Sequence, residues 1–158
     1  MFIKYNGKYY CSRTVAPVQQ IWRYNTKFRF FLFDYLCKEQ LTVSQEDFDE
    51  IFSATFWTTW NGRSCRVEAI KGRRLMKLTL LYDDVEFAKE HGFRYSEKNN
   101  NYYKIVPTSS ATEFSVLKNI YIPKKEFDGK GFYETDIQSI KMSKDEWIDL
   151  FSELSRVS

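Results

Sequence analysis

Residues 74–106 read RLMKLTLLYDDVEFAKEHGFRYSEKNNNYYKIV. Leu78, Leu80 and Tyr82 alternate with Lys77, Thr79 and Leu81, so residues 75–82 predict a strand. Asp83-Asp84 stop it and start a short helix, in which Val85, Ala88 and Lys89 recur at helical spacing. Gly92 is the residue type that follows a helix end, where a positive φ is needed. A second strand is expected at 93–95, a polar turn at 96–101, and a third strand at 102–106 that Pro107 ends. The stretch predicts a β-α-β-β unit, and the rest of the chain has to pack around it.

Upstream, Asn6-Gly7 and Asn61-Gly62 are type I′ hairpin signals between strand-like runs. Residues 57–82 therefore read as a three-strand meander that feeds the unit. Pro17 suits the first turn of a helix. Between Val18 and Lys38, Phe28, Phe31, Leu32, Tyr35 and Leu36 recur at helical intervals, and the run exceeds strand length, so a helix is expected. Phe28, Phe30 and Leu32 also alternate as in a strand. Ser44 with Asp47 predicts a capped helix start, and Phe48, Ile51, Phe52, Thr55 and Phe56 would line one face. Residues 114–122 fit strand or helix, and 128–131 read as an exposed flexible turn. Ser143 and Glu146 form a capping box for a last amphipathic helix, 143–157, with Trp147, Leu150, Phe151 and Leu154 on its apolar face. Residues 43–53 echo 142–152 in charge and aromatic pattern, as two convergent helix starts, or a duplication of one, would give.

The fold expected is α+β: an antiparallel multi-stranded sheet with three to four helices, in a single compact domain over 1–158. The net charge of +3 excludes an acidic mimic of DNA and does not by itself demand a nucleic-acid partner. Aromatic residues make up 18% of the chain, more than a core of this size needs, which places some of them on a contact surface. Cys11, Cys37 and Cys65 lack metal-ligand spacing and suggest neither a zinc site nor a disulfide framework. No signal peptide or membrane span is visible, so a cytoplasmic protein is expected.

The chemistry expected is binding, without a cofactor, rather than catalysis. The single histidine, His91, sits where a cation complements a helix C-terminus. Asp83-Asp84 and the Glu68-x-x-Lys71 spacing are the features a small metal-dependent nuclease would use, but the latter puts Glu68 and Lys71 on opposite faces of a strand. Residues 63–77 carry six bases, Arg63, Arg66, Lys71, Arg73, Arg74 and Lys77, against the one acid Glu68. Trp57 and Trp60 lie just upstream. Bases beside exposed aromatics suit single-stranded nucleic acid through phosphate neutralisation and stacking. They equally suit a protein hot spot. A solvated hairpin with core tryptophans is the plain structural alternative.

Lys89-x-x-Gly92-Phe93-Arg94-Tyr95, a polar turn, then Tyr102-Tyr103 resembles a short module appended to DNA-processing proteins of plasmids and phages. It is also similar to the small domain preceding the motor of annealing helicases. In those modules the pattern is Lys-x-x-Gly-x-Lys/Arg-Trp, a turn, then Trp-Tyr. Tyr95 stands here where the first Trp is usual, and Tyr102 where the second is. The resemblance covers about residues 78–106 and adds Tyr95, Tyr102 and Tyr103 to the candidate contact residues. It implies a phage or mobile-element protein that engages nucleic acid or a nucleoprotein complex, as an anti-CRISPR-like inhibitor of a host defence would. A protein-only module, such as a toxin-neutralising immunity protein, is the alternative.

Overall fold

The computed structural model describes residues 1–13, 29–34, 39–44, 49–123, 129 and 133–157. Their eleven strands are β1 Phe2–Tyr5, β2 Lys8–Arg13, β3 Arg29–Asp34, β4 Glu39–Ser44, β5 Glu50–Trp60, β6 Arg63–Lys71, β7 Leu75–Leu80, β8 Arg94–Ser96, β9 Asn101–Pro107, β10 Glu113–Pro123 and β11 Tyr133–Lys141. Two helices accompany them, α1 Val85–Glu90 and α2 Lys144–Val157. The chain divides into two compact units. Unit 1 holds residues 1–54, 118–138 and 152–158, and unit 2 holds 55–117 and 139–151.

In unit 1, β1 pairs antiparallel with β2 through the Asn6-Gly7 turn, whose φ angles of 47° and 73° are the left-handed pair a type I′ turn needs. β1 also pairs with β5 (Ile3↔Ile51), β2 with β3 (Cys11↔Phe33) and β3 with β4 (Leu32↔Leu41). Ile3, Tyr10, Ile51 and Phe52 are buried. Lys118 lies over the Phe52 ring at 4.3 Å and pairs with Glu50 at 2.7 Å.

In unit 2 the second half of β5 opens an antiparallel sheet that continues through β6, β7, β9 and β8. Strand alternation sends Phe56, Thr58, Trp60, Cys65, Val67, Met76, Leu78, Leu80 and Val106 to one face, where all are buried. α1 packs there around Trp60, whose ring lies 6.4 Å from Phe87 and 5.6 Å from His91. α2 packs there through Trp147, 5.6 Å from Phe56. Ser143 caps α2 as expected, its Oγ accepting from the Glu146 N–H at 3.3 Å.

The β-α-β-β unit and both Asn-Gly hairpins form where expected. The α+β expectation of three to four helices does not hold: among the described residues the fold is sheet-dominated and carries two helices. Within 18–38, the described part, Arg29–Asp34, is strand β3; here the Phe30/Leu32 alternation and the strand preference of aromatics prevail over the helical spacing. Of the helix expected after Ser44, the described part is also strand, residues 45–48 lying outside the described residues. Ser44 ends β4, and from residue 50 the chain is β5, rich in β-branched and aromatic residues, with Phe52, Phe56, Thr58 and Trp60 buried in steps of two or four. The described part of 43–53 is thus strand, whereas the echoing 142–152 leads into helix α2. The ambiguous 114–122 run is strand β10, and β11 occupies residues to which the sequence assigns no element. Pro17 and all of 128–131 except Gly129 lie outside the described residues.

Candidate nucleic-acid interface

The pairing of unit 2 lines up side chains that are far apart in sequence. Trp57 pairs with Arg66, Arg66 with Thr79, Thr79 with Tyr103, and Tyr103 with Arg94. Partners directly opposite in antiparallel strands share a face, so these five form one row across β5, β6, β7, β9 and β8. The adjoining row, Phe56, Val67, Leu78 and Lys104, is the helix-covered one. The Trp57 row therefore lies on the face that α1 and α2 do not cover. Arg66 and Arg94 are exposed, and Trp57 and Tyr103 are half-buried by their neighbours. Lys77 joins this face, its Nζ 5.0 Å from the centre of the Tyr103 ring and 2.7 Å from Glu68. Leu75 and Ile105 are exposed on the same face, Ile105 by 61%.

The other candidate residues go elsewhere. Trp60 is buried on the helix-covered face, where its Nε1 donates to Ser110 Oγ at 3.1 Å and Lys104 Nζ lies 5.3 Å from its ring. Arg63 forms an ion pair with Asp84 and lies over the Phe87 ring. Arg73 sits in the β6–β7 turn at φ 60°, a left-handed conformation that a non-glycine side chain adopts at a cost. Its guanidinium reaches Asp149 at 2.5 Å and Asp145 at 3.5 Å, both on α2, and those two carboxylates hold its pKa above the ordinary value. Lys71 and Arg74 flank this turn, exposed. Tyr95 and Tyr102 pair with each other, ring centres 5.2 Å apart, in the row of Leu80 and hence on the opposite side from Tyr103. The structure thus gathers Arg66, Lys77, Trp57 and Tyr103, and adds Arg94, which the basic-run reading did not single out.

A cleft of about 490 Å³ opens at the Trp57 end. Trp57, Thr59 and Ser64 line it from β5 and β6, Glu113 from β10, and Lys141 and Lys144 from the approach to α2. The Thr59 hydroxyl donates to Glu113 Oε2 at 3.1 Å, and the Thr112 N–H donates to Thr59 O at 3.1 Å, fixing the wall that carries the carboxylate.

Of the groups a catalyst would use, His91, Cys65, Asp84 and Glu68 have structural partners. His91 stacks on Phe87 at 4.1 Å, and its Nδ1 lies 3.0 Å from Phe87 O. Cys65 is fully buried, its S–H donating to Arg63 O, and burial pushes the thiol up to about 11, so it is protonated at neutral pH. Asp84 is engaged by Arg63 and Glu68 by Lys77. Among the described residues no group of three or more His, Cys, Asp or Glu is gathered as metal ligands would be. No described helix is long and apolar enough to cross a membrane. Comparison with protein-family models, curated proteins and solved structures finds no match to this chain.

Proposed function

We propose that this protein is a non-enzymatic binder of single-stranded nucleic acid, free or within a nucleoprotein complex, and that the Trp57 face of unit 2 is its contact surface. The row Trp57, Arg66, Thr79, Tyr103 and Arg94 carries the proposal. It offers two aromatic rings about three strand spacings apart, roughly 14 Å, with a guanidinium beside each. Stacking on aromatics and phosphate contacts from Arg are the two terms that hold single strands without demanding a sequence. An open sheet face suits unstacked bases, whereas a duplex buries its bases' faces. The resemblance of residues 89–103 to a module of plasmid and phage DNA-processing proteins supports the same ligand class. It also extends the proposal to a cytoplasmic inhibitor, anti-CRISPR-like, of a host nucleoprotein machine.

The test is fluorescence anisotropy with a labelled single strand of about twelve nucleotides and the matching duplex, at about 50 and 200 mM salt. The single strand is expected to bind more tightly. Three to four phosphate contacts give a slope near −2 to −3, hence a loss of roughly 20- to 50-fold over that range. Equal or tighter duplex binding would sink the proposal. So would a lysate partner retained after nuclease treatment with no oligonucleotide binding. That result would favour a protein target docked on exposed Leu75 and Ile105, as in an immunity protein.

A further inference from the structure

The cleft beside Trp57 differs in chemistry from the rest of the face. Elsewhere the row is Arg66, buried Thr79, Tyr103 and Arg94, and the carboxylate near it, Glu68, is taken up by Lys77. The cleft brings the Trp57 ring, several serine and threonine hydroxyls, two lysines and a carboxylate around a volume typical of a small-ligand site. A carboxylate is out of place on a surface built only to follow phosphates, since it repels them. Glu113 is also positioned: Thr59 holds one carboxylate oxygen at 3.1 Å, which leaves the remaining lone pairs for a ligand.

We infer that this cleft takes one extruded base of the bound strand and selects guanine. The inference rests on the proposal that the face binds single strands, and it assigns that face a specificity site. Trp57 stacks the base, which any base would accept. Glu113 reads the edge. Guanine's Watson–Crick edge carries two adjacent N–H donors, at N1 and N2, and a carboxylate with two oxygens is their complement. Cytosine and adenine each present a single exocyclic amine beside a ring acceptor. Thymine and uracil offer one N–H, at N3, flanked by two carbonyl oxygens that repel the second carboxylate oxygen. Lys141, the last residue of β11, and Lys144, the first of α2, also line the cleft and take the phosphate of the extruded nucleotide. Ser64 and Thr59 supply hydroxyls that hydrogen-bond to sugar or base without choosing among bases.

The experiment compares oligothymidylate strands of about nine nucleotides that differ only at the central position, which holds deoxyguanosine, deoxyinosine, deoxyadenosine or thymidine. Inosine keeps N1–H and lacks the N2 amine, so it isolates the second contact. The guanine strand is expected to bind about ten-fold or more tighter than all-thymidine, with inosine between them. Glu113→Gln replaces one acceptor by a donor at constant shape and is expected to bring the guanine-to-thymidine ratio to about one. Lys141→Ala with Lys144→Ala should lower the salt slope of every strand by about 1.4, two phosphate-bound cations at roughly 0.7 each. Circular dichroism of each variant confirms that it is folded. Equal binding of all four strands would overturn the guanine site and leave the nucleic-acid face standing. A preference for adenine, or a guanine preference unchanged in Glu113→Gln, would overturn it likewise. Absence of binding to every strand would overturn the site and the face together.

Discussion

Replacing Trp147 by alanine is expected to destabilise unit 2 by about 3–5 kcal/mol, the range for emptying a large aromatic site in a core. Trp147 is fully buried. Its ring lies 5.6 Å from Phe56, 5.1 Å from Phe114 and 6.4 Å from Phe151, so one side chain joins β5, β10 and α2. Its Nε1 donates to Ser115 O at 2.9 Å. The alanine variant leaves that carbonyl without its donor as well as leaving a cavity, and each adds to the cost. A small domain holds only about 5–15 kcal/mol in total, so the variant should be near its unfolding limit. Trp147→Phe keeps most of the volume and loses the hydrogen bond, and should cost about 1–2 kcal/mol. Urea unfolding of the three proteins measures this. A loss below about 1 kcal/mol for Trp147→Ala would mean that α2 is not the cover of this sheet face.

The second large effect separates the two faces of the same strands. Trp57→Ala and Tyr103→Ala should each weaken single-strand binding by about 1–3 kcal/mol, the cost of losing a stacked base. The two rings are roughly 14 Å apart across three strand spacings, so their losses should nearly add in the double variant. Tyr102→Ala, one residue from Tyr103, and Tyr95→Ala, at the position paired with Tyr102, remove aromatics of similar size from the other face and should leave affinity nearly unchanged. Arg66→Ala should lower the salt slope by about 0.7. Arg73→Ala should not lower it, because that guanidinium is held by Asp145 and Asp149. Comparable losses from Tyr102→Ala and Tyr103→Ala would contradict the assignment of the contact face. Titration of each variant with one labelled strand, at two salt concentrations, gives all of these numbers.

Much of the local structure was legible in the sequence. Asn61-Gly62 forces a tight turn, Gly92 takes the positive φ that follows α1, and the Ser143 cap starts α2, because each rests on backbone chemistry within a few residues. The runs 18–38 and 44–56 were not, because their apolar residues fit both a 3.6 and a 2.0 period. For β5 and the described part of the first run, pairing partners distant in sequence decide between the two. Part of the site was also within reach. Cys65 and Val67 alternate with Ser64 and Arg66, and Phe56, Thr58 and Trp60 with Trp57 and Thr59. That period already sets Trp57 and Arg66 apart from Trp60 and Arg63. What composition could not show is which bases are already paired. Arg63, Arg73 and Lys77 have acidic partners from Asp84, the C-terminal helix and Glu68, so a count of six bases overstates the charge left for a ligand. Nor could it show that the break in register between Val67 and Ala69 re-aims the strand at Glu68. The juxtaposition of Glu113 with Trp57 comes from β10 pairing with β5, a contact across more than fifty residues.

The most direct test of the Trp57 face as a nucleic-acid contact is photocross-linking of a single strand of thymidine and 5-iodouracil, with no guanine to compete for the Trp57 cleft, followed by mass mapping of the modified peptides. This photochemistry joins the base to an aromatic ring stacked against it. The predicted result is adducts at Trp57 and Tyr103, lost from each site when that residue is replaced, with Tyr95, Tyr102 and buried Trp60 unmodified. Adducts confined to Tyr95 and Tyr102, or to the aromatics of unit 1, with Trp57 and Tyr103 untouched, would contradict it.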